Sequence, residues 1–99
     1  MRETAMSLII QYMDDVYFEP DCKWSEIAFK EHAYGRWACC EMLERIMNHP
    51  YDTPEEVVKN FSFEMEMLIA VSDGDKSNYP FIVGLEAAED ILDQLAFIF

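Results

Sequence analysis

Three clusters of helix-breaking residues cut the chain into four stretches, and each stretch repeats its apolar residues with a helical period. The breaks are Glu19-Pro20-Asp21, Asn48-His49-Pro50-Tyr51-Asp52-Thr53-Pro54 and Ser72-Asp73-Gly74-Asp75-Lys76-Ser77-Asn78. Proline lacks a donor N–H and pushes its predecessor out of the helical region, while Gly, Asn and Asp favour turns. Only the short run 79–83 hints at the period of two that a strand needs. The spacing predicts helices over about 4–18, 23–48, 54–72 and 79–98.

Each segment carries its own signals. In the first, Met6, Ile9, Ile10, Met13, Val16 and Tyr17 fall at amphipathic spacing, and Pro20 ends the run. In the second, Asp21 or Ser25 can cap the start. Trp24, Ile27, Ala28, Glu31, Tyr34, Ala38, Met42 and Ile46 trace a broad face that Trp37, Leu43 and Met47 widen. Gly35 costs about 1 kcal/mol of helix propensity relative to Ala, which points to close packing against another helix. The third has the clearest start: Thr53 as cap, Pro54 at the first position and Glu56 at the third form a capping box. Val57, Val58, Phe61, Met65, Leu68 and Ile69 turn inward there, and Gly74 can end the helix in the left-handed conformation. The fourth starts near Ser77 or Asn78, with Phe81, Leu85, Ala88, Ile91, Leu92, Leu95 and Ile98 as its stripe. The apolar end Phe97-Ile98-Phe99 is expected to be packed.

Four helices with short connections imply an all-α fold: a single domain over 1–99, either an antiparallel four-helix bundle or a compact irregular helical variant. Ninety-nine residues leave room for one core, and 52% hydrophobic residues suffice to build it. That core draws on 7 Met and 14 aromatic residues, more than one small core readily hides.

Charge narrows the function. Twenty acidic residues against 7 basic ones give a net charge of −13 and a pI near 4.2. Phosphate binding needs Lys and Arg, so direct nucleic-acid binding is not expected, nor is docking on anionic lipid. No apolar run approaches the roughly 20 residues that span a bilayer, and the start lacks a full signal peptide. The expectation is a cytoplasmic protein whose three cysteines, Cys22, Cys39 and Cys40, stay reduced.

No motif for chemistry emerges, so no catalytic, cofactor or metal residues are assigned. Di-iron bundles use Glu-x-x-His pairs, but Glu31 directly precedes His32 and Ile46 stands three residues before His49. His32 and Cys39 share a face two turns apart without matching a zinc spacing, and read as a helix-surface His and a half-buried Cys. Asp73-Gly74-Asp75 fails the calcium-loop pattern, which would need Gly and an acid where Asn78 and Gly84 stand. There is no Gly-x-Ser-x-Gly elbow, and neither Cys39 nor Cys40 has the cationic surroundings of a thiolate.

The acids themselves are unevenly placed. Residues 1–51 hold nine acids and five bases, while residues 52–99 hold eleven acids and two bases. Glu86, Glu89, Asp90 and Asp93 lie at i, i+3, i+4 and i+7, a continuous negative stripe. Glu64 and Glu66 add to it from the third segment. Like charges at this spacing repel, so such a stripe stabilises nothing by itself. It suits a protein partner with a basic surface. The expected function is an acidic protein-binding domain, foremost an inhibitor or nucleic-acid mimic acting on a nucleic-acid-processing protein. Nuclease-immunity and phage anti-defence proteins share this size and charge sign. Candidate apolar anchors for the contact are Tyr12, Phe18, Tyr51 and Phe63. A structural or homo-oligomeric helical module is the alternative, and a small metal-dependent enzyme the third.

Overall fold

The computed structural model describes residues 2–17, 24–49, 52–72 and 79–98. Four helices follow one another: α1 (Arg2–Tyr17), α2 (Glu26–Asn48), α3 (Pro54–Val71) and α4 (Tyr79–Ile98). They form an all-α four-helix bundle with a radius of gyration of 13.6 Å.

The caps explain where two of them begin. The Ser25 hydroxyl accepts the N–H of Ala28 at 3.2 Å, and the Thr53 hydroxyl accepts that of Glu56 at 3.2 Å. Each cap satisfies a donor that the first helical turn leaves without an intrahelical acceptor. Pro54 sits at the start of α3, where its missing N–H costs nothing. The N–H of Ser72 bonds the Leu68 carbonyl and closes α3. At the far end of α2, Arg2 donates to the Met47 carbonyl at 2.6 Å. A cation there meets the negative end of the helix dipole. Asp21, Gly74, Ser77 and Asn78, the alternative or neighbouring terminators read from the sequence, lie outside the described residues, as does the Asp73–Asp75 loop.

Contacts along the helices give their directions. Arg2 meets Met47, Met13 meets Cys40 and Tyr17 meets Gly35, so α1 and α2 are antiparallel. Tyr79 meets Glu31 and Gly84 lies against Ala38, so α2 and α4 run the same way. These two nonetheless pack directly and extensively, and α3 packs most extensively of all on α4. The bundle is therefore flattened, with α2 and α4 on its short diagonal and α1 and α3 to either side. Small residues permit this approach: Gly35, Ala38, Gly84, Ala87 and Ala88 are all buried. A Cβ at Gly84 would stand 3.5 Å from that of Ala38 and 3.4 Å from Met65 Sδ, so the helices are already at contact distance. Gly35 has a different neighbour, since a Cβ there would overlap the Tyr17 ring of α1.

Around these positions Ile9, Cys39, Met42, Ile46, Val58, Phe61, Met65, Ile91 and Leu95 are fully buried. α3 buries the face its periodicity implies. α1 does so in part: Ala5 and Ile9 are buried and Met6, Tyr12, Met13 and Tyr17 pack partly buried against the core, while Ile10 and Val16 are exposed. Contact with α2 on one side and α4 on the other shifts the buried face to the Ala5–Ile9–Tyr12 side of the apolar stripe. In α2, Ile27 is 61% exposed. Phe97 is 96% exposed, not packed as expected. It stands two residues after buried Leu95, about 200° around the helix.

Candidate functional site

On α4 the carboxylates of Glu86, Glu89, Asp90 and Asp93 are all exposed, and the helix contains no Lys or Arg. Their register places them opposite Ala88, Ile91 and Leu95, which anchor the helix in the core. The four are not equivalent. Asp90 accepts the Tyr12 hydroxyl of α1 at 3.0 Å, a link between two helices. Burial raises the pKa of Tyr12, and neighbouring Tyr17 and the bond to Asp90 add to the rise, so the hydroxyl keeps its proton. Tyr12 is half-buried against the core and edge-on to Tyr17 at 5.8 Å, so it is committed inside the molecule. Among the described residues, Glu86, Glu89 and Asp93 form no ion pair.

The two acids of α3 differ in the same way. Glu64 accepts Arg45 Nη1 at 2.7 Å, and that hydrogen bond holds its carboxyl below the usual range. Arg45 also lies 5.0 Å above the Phe61 ring, so the pair locks α2 to α3. Glu66 is exposed. Phe63 is 62% exposed, with Met67 and Val71 following at i+4 and i+8, an apolar row on the outer face of α3. Phe18 and Tyr51 lie outside the described residues.

A second feature escaped the sequence reading. Where α1 ends and α2 and α4 begin, a pocket of about 380 Å³ opens between the three helices. Tyr17, Trp24, His32 and Tyr79 line it, with Glu31 and Glu86 as its carboxylates and Val16, Ala28, Ile82 and Val83 as its apolar floor. The Tyr79 hydroxyl donates to Glu31, and its ring meets Tyr34 edge-on. His32 is half-buried, not the surface histidine its helix position suggests. Its ring sits against Tyr17 and Trp24 at 6.3 and 5.6 Å, and its Nε2 is buried without a hydrogen-bond partner among the described residues. The available signal was an aromatic residue beside each of two breaks: Tyr17 and Trp24 around the first, Tyr79 after the third.

Cys39 is fully buried, and burial pushes its thiol up to about 12, so it stays protonated. Cys40 is exposed, with its sulfur 3.9 Å from Met13 Sδ. Cys22 lies outside the described residues. Among the described residues no three His, Cys, Asp or Glu side chains converge as metal ligands would, and no helix is long and apolar enough to cross a membrane. Comparison with protein-family models, curated proteins and solved structures yields no match.

Proposed function

We propose that this chain is an acidic protein-binding domain whose α4 face engages a basic protein surface, as an inhibitor or nucleic-acid mimic aimed at a nucleic-acid-processing protein. The observation that carries the reading is the row Glu86, Glu89 and Asp93, exposed, without ion pairs among the described residues and on a helix devoid of cations. Including Asp90, four carboxylates span seven residue steps, about 10.5 Å of helix rise. That is about one charge per 3.5 Å of axis, close to the roughly 3.4 Å per phosphate along one DNA strand. A groove built to take phosphates would meet a similar linear charge density here. Repulsion within the row falls when a cationic partner arrives, so complementarity would speed association and set specificity.

Charge reversal tests the proposal, and the structure selects the positions. Glu86 lines the pocket and Asp90 holds Tyr12, so Glu89→Lys with Asp93→Lys is the cleaner variant. Partner protein captured from the native host at low salt should elute as salt rises and should not bind this variant. Capture that survives both reversal and high salt rules out an electrostatic contact through α4.

The exposed row Phe63, Met67 and Val71 favours a second reading, a homo-oligomeric helical module. Light scattering would then give a mass above 11.6 kDa at micromolar concentration, and Phe63→Glu would restore the monomer. A monomeric mass in the unmodified protein sinks that alternative.

A further inference from the structure

We propose that the pocket between the end of α1 and the starts of α2 and α4 binds an organic cation, with an alkylammonium or guanidinium head group seated among Tyr17, Trp24 and Tyr79 and facing Glu31 and Glu86. Such a site would bind its cation whether or not α4 is a protein interface.

The pocket's volume of about 380 Å³ lies within the range of small-molecule sites. Its lining decides the sign of the ligand. Three aromatic residues line the pocket, and the faces of such rings attract a cation, Trp most strongly. Among the described residues, two carboxylates share the lining and no Lys or Arg does. An anion would meet the carboxylates of Glu31 and Glu86, with no Lys or Arg among the described lining residues to offset them. A neutral apolar ligand would leave both carboxylates beside it without a counter-charge.

The surroundings reinforce this. Burial raises the pKa of Tyr17, and the negative charges of Asp90 and Glu86 contribute to the rise. Glu31 and Glu86 place two negative charges on the pocket's lining, and a bound cation would offset them. Tyr79 is tied by its hydroxyl to Glu31 and steadied by Tyr34, which fixes one wall before any ligand arrives. Trp24 is held edge-on to Phe29 at 6.0 Å and rests against His32 at 5.6 Å. A preformed wall spares the ligand the ordering that weakens binding to mobile side chains.

Choline and its neutral isostere 3,3-dimethyl-1-butanol make a direct test, since they differ in charge but hardly in shape. Choline should give saturable shifts of the Trp24 indole and Tyr17 amide resonances in a titration followed by NMR at moderate salt. The isostere should bind at least about tenfold more weakly. Trp24→Ala should weaken choline about tenfold or more, Trp24→Phe less, and Glu86→Gln by severalfold. The Phe variant keeps an aromatic wall, so its retention of binding separates loss of the cage from loss of the fold. Displacement of choline by a Lys- and Arg-rich peptide would identify the ligand as a partner's side chain. Binding without displacement would identify a free small amine. Equal binding of the isostere, or no saturable shift with choline, overturns the proposal. Glu89→Lys with Asp93→Lys leaves the pocket lining intact, so choline should still bind that variant even if protein capture fails.

Discussion

In the middle of the bundle Met42, Ile46, Phe61, Met65, Ile91 and Leu95 pack out of reach of solvent. Where α1 stops and α2 and α4 start, Tyr17, Trp24, His32 and Tyr79 leave a pocket instead, and a histidine nitrogen is buried without a partner among the described residues. The first region spends its residues on close packing, with Gly and Ala bringing α2 and α4 together. The second leaves aromatic rings, an orphaned polar atom and carboxylates around open space, which a fold optimised for stability alone would close. The contrast separates what holds the molecule together from what is available to bind.

Substitution can break this contrast most sharply at the core. Phe61→Ala should cost about 3–5 kcal/mol, while Trp24→Ala should cost less than about 2 kcal/mol, by chemical denaturation. Equal losses would mean that the pocket end is as much a part of the core as the middle.

Gly35→Ala sharpens the boundary between the two regions. The new methyl would overlap the Tyr17 ring, so a loss of about 1–2 kcal/mol is expected despite the better helix propensity of Ala. With Tyr17→Ala already in place the overlap is gone, and the same change should stabilise by up to about 1 kcal/mol. A destabilisation that persists in that background would place the constraint somewhere other than the Tyr17 contact.

The smallest effect belongs to the Arg45–Glu64 pair on the edge of the packed region. The folded state lowers the Glu64 pKa, so its contribution is complete above the unfolded value and fades as pH falls through the folded one. Glu64 is 49% exposed, and solvent screening limits the effect to less than about 1 kcal/mol. Glu64→Gln should therefore lower stability slightly at pH 7, and the difference should vanish in strong acid. A difference that grows on acidification would contradict the assigned pair.

Much of this fold is legible from local chemistry. Thr53-Pro54 and Ser25 mark two helix starts, and Val57, Val58, Phe61 and Met65 mark the buried side of α3. The faces of α1 and α2 are less so, because Ile10, Val16 and Ile27 obey the period yet stand in solvent. Periodicity identifies an apolar side of a helix, but the neighbours decide which part of it is covered. Site residues divide likewise. The α4 stripe follows from spacing within one helix, whereas Tyr12 and Glu64 change meaning once Asp90 and Arg45 are seen beside them.

The sequence by itself determined that the chain is helical, where its helices break and that α4 is negative along one side, because these depend on interactions a few residues apart. Only the tertiary structure decided that Asp90 and Glu64 are engaged while Glu89 and Asp93 form no ion pair among the described residues, that Tyr17 rests on Gly35, and that three aromatic helix ends meet around a pocket. Those outcomes depend on which surfaces of separate helices come together, and burial of apolar area, being non-directional, does not specify that from pattern alone.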